Sequence, residues 1–186
     1  MAAGNTEAIT GIAPCGVELP FDILSPAVQT VPLVFASPHS GTEYDPSFVA
    51  ASRLDQVTLR RSEDAFVDEL FAAAPEHGAP LLCARFPRVY LDPTREPWEL
   101  DPGMFEDQLP GWVNTTSLRV AGGLGTIARV VTNGAEVYRG GKTAQEWWRA
   151  DITEHGAEDH AAAQEGLMSA VALDFLLLID GYDIVN

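Results

Sequence analysis

The chain has 186 residues, 46% of them hydrophobic, which is enough for one domain with a real core and too few to expect two. Its formal net charge of −16, from 27 acids against 11 bases, repels polyanions and disfavours nucleic-acid binding. No apolar run reaches membrane-spanning length, and the opening MAAGNTEAIT lacks the basic flank and apolar core of a secretory signal, so a soluble, cytoplasmic protein without a membrane partner is expected.

Cys15 and Cys83 show neither CxxC spacing nor disulfide-framework density, and read as unpaired thiols in a reducing compartment. Ten of the eleven bases are arginine, with Lys142 the exception. Guanidinium forks suit carboxylates better than ammonium does, although for the set as a whole a codon preference for arginine is the simpler account.

In chain order, residues 1–30 mix Gly, Pro and small side chains and read as an irregular arm ending in a β-type element. A strand is predicted at Leu33 to Ala36, followed by Ser37-Pro-His-Ser-Gly41 and a turn at Tyr44-Asp-Pro-Ser47. Ser62 to Gly78 reads as one helix, with a Ser cap, acids in the first turn, and Phe66, Val67, Leu70, Phe71 and Ala74 on one face. Strands are predicted at 80–84, Val89 to Leu91 and Ile127 to Val131. Residues 92–126 form a long loop without either period, a length that is usually functional when ordered. Helices follow at 143–149 and 159–173, then Phe175 to Ile179 as a central strand covered on both faces. Helices alternating with such strands predict an α/β fold with a mostly parallel sheet.

Ligands of open α/β sheets bind beyond the carboxyl ends of the strands, which points to the loops at 37–41, 92–95 and 180–183. His39, held between Pro38 and Gly41, suits either a metal ligand or a histidine bonded to turn backbone. Asp64 is either a carboxylate ligand to the same metal or a first-turn acid favoured by the helix dipole, and Glu63 beside it could substitute. Arg95, stiffened by Pro93 and Pro97, either grips a carboxylate ligand or pairs with Asp92, Glu96 or Glu99. Gly122-Gly-Leu-Gly125 is weak as a phosphate loop and reads as a tight bend that turns Arg129 inward. His77 ends a helix, His155 and His160 lie on a solvated acidic stretch, and the four tryptophans read as core or loop anchors.

The segments VPLVFASPHSG, LRRSEDAFVDELF, FPRVYLDPTREPWELDPGMF and GGLGTIARVV, in this order over about residues 31–140, resemble the N-formylglutamate amidohydrolases, also called N-formylglutamate deformylases. The resemblance implies a three-layer α/β/α hydrolase related in fold to zinc carboxypeptidases. Its substrate would be a small anionic N-acyl amino acid, chiefly N-formyl-L-glutamate, cleaved to glutamate and formate in histidine degradation. It further implies zinc, with His39 and Asp64 as metal ligands and Arg95 and Arg129 as substrate-binding residues. Net repulsion of an anion is largely screened beyond about 8 Å, so local guanidinium contacts would decide binding.

Three positions depart from the family's pattern. Where the family reads Asp-Cys-His-Ser-Met, this chain reads Asp180-Gly-Tyr-Asp-Ile184, which puts Tyr182 at the third-ligand position. Tyrosine, with an unperturbed pKa of about 10, is a poor zinc ligand near neutral pH. Thr94 replaces the Asn before the arginine, and the family continues past the length reached at Asn186, so a C-terminally shortened fold is expected, with a sheet edge open to oligomerisation. The alternatives to the enzyme are a non-catalytic relative that binds an acidic metabolite, and a zinc deacylase for another N-acyl amino acid.

Overall fold

The computed structural model of the protein describes residues 7–12, 18–96, 98–106 and 108–139. The elements expected at 143–149, 159–173 and 175–179, the loop at 180–183 with Tyr182, and Cys15, His155 and His160 lie outside the described residues.

The described chain is mixed α/β. Strand β1 (Glu7–Ile12) pairs antiparallel with β2 (Glu18–Ser25), so the β-type element expected at the end of the 1–30 arm is present and a second strand precedes it within the arm expected to be irregular. The register shifts between Thr10 and Ile12, opposite the stretch of β2 that contains Pro20, a residue that cannot donate to a ladder. Strand β3 (Phe35–Ser37) begins two residues and ends one residue later than the sequence predicts. Helix α1 (Pro46–Ala51) follows, where the sequence predicts only a turn. Asp45 accepts from the backbone N–H of Ser47 at 2.6 Å and of Phe48 at 3.3 Å, and Pro46 occupies the first turn where no N–H is needed.

Helix α2 (Gln56–Leu59) runs into a 3₁₀ turn at Arg60–Ser62, then come helix α3 (Val67–Leu70) and a second 3₁₀ turn at Ala74–His77. The single helix predicted from Ser62 to Gly78 is therefore broken into short turns. Three local causes are visible. The Asp64 N–H donates to the His39 carbonyl at 3.0 Å, outside any helical ladder, and Phe66 takes a left-handed φ of 65°. Pro75 supplies no N–H to continue the run. Phe66 and Leu70, expected on a core-facing stripe, are exposed among the described residues.

Strand β4 (Leu81–Ala84) is buried along its whole length and lies between β2 and β3, antiparallel to the first and parallel to the second. Alternation does its usual work here. Leu82 meets Phe21, Ile23 and Phe86 on one face, while Leu81 and Cys83 meet Ala74, Leu24 and Phe35 on the other. The described sheet thus has order β1-β2-β4-β3 with one parallel pair.

Val89 to Leu91 is a buried turn and not a strand: the Tyr90 N–H reaches the Pro87 carbonyl at 2.9 Å. The predicted strand over 127–131 contracts to β5 (Val130–Val131), which pairs with β6 (Ala135–Glu136); between β4 and this hairpin lies helix α4 (Leu118–Ala121). The stretch predicted as a loop over 92–126 contains α4 and supplies Leu100, Met104 and Val113 to the largest core cluster. Phe48, fully buried, anchors that cluster, with Tyr90 edge-on at 5.5 Å and Tyr138 at 6.3 Å. No helix among the described residues is long and apolar enough to cross a membrane.

Two outcomes follow from this packing. Phe48→Ala removes the shared anchor of Tyr90 and Tyr138, and a loss of about 3–5 kcal/mol in urea unfolding is expected. Burial, reinforced by Asp68 and Asp22, pushes the Cys83 thiol up to about 11. Cys83 should therefore resist alkylation at pH 8 until denaturant is added, as peptide mapping of the Cys83 peptide would record.

Candidate active site

The site starts where β3 ends. Ser37 and Ser40, both buried, join their hydroxyls at 2.7 Å across the turn that carries His39. A side chain at Gly41 would stand 2.2 Å from the Phe86 carbonyl oxygen, so only glycine lets the loop lie against the exit of β4. The Glu43 N–H seals this contact on the Arg85 carbonyl at 2.9 Å.

His39 is then gripped from two sides. Its Nε2 lies 2.9 Å from Asp92 Oδ1 and its Nδ1 lies 3.1 Å from Asp64 Oδ2. The Asp64 contact depends on the same N–H to His39 carbonyl bond that interrupts the expected helix. The Asp92 contact depends on the turn that opens at Pro87, which puts Arg88 and Asp92 on one face so that Arg88 Nε donates to Asp92 Oδ2 at 3.1 Å. Arg95 Nη2 approaches the same oxygen at 3.3 Å, while the N–H and hydroxyl of Thr94 donate to Oδ1 at 3.0 and 2.6 Å.

Burial opposes ionisation of Asp92, but the hydrogen bonds from His39 and Thr94 and the charge on His39 outweigh it and hold this carboxyl well below the usual carboxylate range. As a carboxylate, Asp92 can only accept, so Nε2 of His39 carries the proton in that bond. Nδ1 and Asp64 Oδ2 consequently face each other across a gap that suits one shared cation, a proton or a metal ion. Two tetrahedral ligands at ~2.0–2.1 Å from one zinc ion stand roughly 3.3–3.4 Å apart, a few tenths of an ångström wider than the observed 3.1 Å. Among the described residues no cluster of three or more His, Cys, Asp or Glu is arranged to hold a metal.

Asp64, Arg88 and Asp92 line a cleft of about 510 Å³, whose other walls include Arg61, Leu124 and Asn133. Over residues 31–176 the chain matches the model of the family described as N-formylglutamate amidohydrolase. The chain belongs to the N-formylglutamate amidohydrolase family. Among solved structures it is similar to the crystal structure of N-formylglutamate amidohydrolase from Ralstonia eutropha JMP134, at 34% identity and a TM-score of 0.62. That likeness covers 81% of this chain and 54% of the other, so the chain spans about half the length of that relative. The comparison with curated proteins finds no match.

Within this family framework, the structure brings His39 and Asp64 together and turns Glu63 away. Glu63 accepts from the Tyr44 hydroxyl at 2.7 Å and from Arg60 Nε at 3.1 Å, and burial together with Glu63 raises the Tyr44 phenol far above its ordinary value. Arg95 is mostly buried and spends its guanidinium on Asp92, the Leu124 carbonyl and Thr94, while Arg129 Nε pairs with Asp101 at 2.6 Å. Neither lines the cleft. The expected bend before Arg129 is present: Gly123, at φ 75°, accepts from the Arg129 N–H at 2.9 Å.

Arg88, Arg61 and the second role of Asp92 escape a reading of the sequence. Arg88 and Asp92 do stand four residues apart, but that spacing carries meaning only in a helical turn, and Val89-Tyr-Leu91 reads as a strand. Pro87 was the available signal.

Asp92→Ala would leave two arginines and His39 without their shared counter-charge in a largely buried place. A loss of about 3–5 kcal/mol is expected in denaturant unfolding, against a much smaller effect of Asp64→Ala, whose side chain is 52% exposed.

Proposed function

We propose that the protein is a zinc-dependent amidohydrolase that cleaves the formyl amide of N-formyl-L-glutamate, giving glutamate and formate. The observation that carries the reading is the orientation of His39: one ring nitrogen is committed to a buried carboxylate, and the other is aimed at Asp64 on the cleft wall. A carboxylate behind a histidine fixes its tautomer and direction, as is usual for metal-ligating histidines. The family and the relative described above support an amide as the bond cleaved.

In this reading His39 and Asp64 are two of the three protein ligands that a catalytic zinc keeps. Bound zinc would act as a Lewis acid and lower the pKa of water from about 16 toward about 7. Arg88 has Nε on Asp92 and Nη1 turned toward Asp64 at 3.9 Å, which leaves Nη2 to donate to the formyl oxygen as negative charge develops on it. Arg95 and Arg129 act behind this front, Arg95 by holding Asp92 and Arg129 by holding the glycine bend. A three-layer α/β/α arrangement related to zinc carboxypeptidases belongs to the same proposal.

The test is formate release from N-formyl-L-glutamate by the purified protein with added Zn²⁺. Turnover is expected, with loss on chelation, recovery on zinc addition, and a fall of at least about 100-fold in kcat/KM for His39→Ala. Asp92→Asn should weaken zinc binding by about 10- to 100-fold. Absence of formate under all conditions, with glutamate still bound, would replace this reading by the non-catalytic relative.

A further inference from the structure

Glu63 and Asp64 are neighbours in the chain with opposite surroundings. The Glu63 side chain is 1% exposed and the Asp64 side chain 52%. Glu63 takes an extended backbone, with φ −69° and ψ 143°, and successive side chains along extended backbone point to opposite sides. Whichever way Glu63 faces, Asp64 therefore faces the other. The direction of Glu63 is set by its pairing, since Oε1 accepts from the Tyr44 hydroxyl at 2.7 Å and Oε2 from Arg60 Nε at 3.1 Å. A carboxylate withdrawn from water is tolerated where both of its oxygens are held in this way.

Tyr44 carries this pairing into the core. Its ring stacks on Phe48 at 6.3 Å, and Phe48 belongs to the largest core cluster. Tyr44 also follows His39 on the same loop, so its bond to Glu63 adds to two others between that loop and the 63–64 segment. These are the Asp64 N–H to the His39 carbonyl at 3.0 Å and His39 Nδ1 to Asp64 Oδ2 at 3.1 Å. Asp64 itself is half exposed and meets the Arg88 guanidinium only at 3.9 Å, a contact too long and too solvated to hold a side chain in one direction. Its aim at His39 comes from the backbone, and the backbone is fixed by the buried residue next to it.

From this arrangement we propose that Glu63, braced by Tyr44 and Arg60, is the positioning residue that turns Asp64 onto His39. Glu63 binds no metal in this proposal and touches no reacting atom. The inference rests on the zinc reading for what Asp64 does once aimed, and on the pairing of Glu63 alone for the aim itself.

The experiment uses Glu63→Ala and the milder Tyr44→Phe, which keeps the ring on Phe48 and removes only the hydroxyl. Crystal structures of the metal-free wild type and variants should show Asp64 Oδ2 drawn away from His39 Nδ1 in Glu63→Ala, with a smaller displacement in Tyr44→Phe. Titration with Zn²⁺ alone, at a temperature where circular dichroism shows every variant folded, should find zinc bound about 10-fold more weakly by Glu63→Ala, and less weakened in Tyr44→Phe, as expected when a group that orients a ligand is lost. An Asp64 that keeps its 3.1 Å contact with His39 in both variants overturns the proposal, because a residue that serves stability alone would leave that contact in place. Zinc affinity unchanged in both variants of a wild type that binds the metal overturns it as well. If the wild type binds no zinc, the zinc reading fails, and the structures alone decide whether Glu63 aims Asp64. If Glu63→Ala does not fold, Tyr44→Phe decides in its place.

Discussion

The carboxylate of Asp92 is the constraint around which the described structure is arranged. A carboxylate removed from water is tolerated only when it is paired and fully hydrogen-bonded. Here His39, Arg88, Arg95 and two donors of Thr94 converge on its two oxygens. Each donor brings its own stretch of chain: the loop after β3, the turn opened by Pro87, and the start of the long loop. The long loop is tied in again where the Asp92 N–H donates to the Thr126 carbonyl at 2.9 Å and Arg95 Nε donates to the Leu124 carbonyl at 3.2 Å. The same residue that aims His39 through its carboxylate thus ties these stretches of backbone together.

The glycines around this centre act through space more than through flexibility. Gly41 and Gly125 both sit where another backbone passes too close for a side chain; a Cβ at Gly125 would lie 2.3 Å from the Glu99 carbonyl oxygen. Those approaches bring the His39 loop onto Arg85 and Phe86, and the glycine bend onto the 96–99 segment. Electrostatics works at the same short range. The net charge of −16 is largely screened beyond about 8 Å, so the field inside the cleft is set by its own charged lining, Asp64, Arg88 and Asp92 among it.

Much of the site was legible in the sequence because its signals are local. His39 between Pro38 and Gly41, Asp64 after the Arg-Arg-Ser run, and the four-segment family pattern each survive without knowledge of the fold. Other readings failed where one local signal had two meanings. Phe66, Leu70 and Phe71 are spaced as a helical stripe, yet the Asp64 N–H is taken by His39 and Pro75 withholds a donor, so the helix fragments. Val89 and Tyr90 favour a strand by residue type, and Pro87 turns them into a helical turn. Asp45-Pro46 was read as a turn when it is also a helix start.

What the sequence by itself determined is the family, through the motif order that places the chain among the N-formylglutamate amidohydrolases, and the positions, His39 and Asp64 among them, on which a site could be sought. Which arginine does what was decided only by tertiary structure. Arg95 and Arg129 look like substrate residues along the chain, but each lies nearer to a buried or half-buried acid than to the cleft, whereas Arg61 and Arg88 reach it. The physical reason is that a guanidinium's role depends on which carboxylate lies within about 4 Å of it; for Arg129 that neighbour is Asp101, 28 positions away in sequence, and Arg88, besides its local partner Asp92, meets Asp64 from a separate segment.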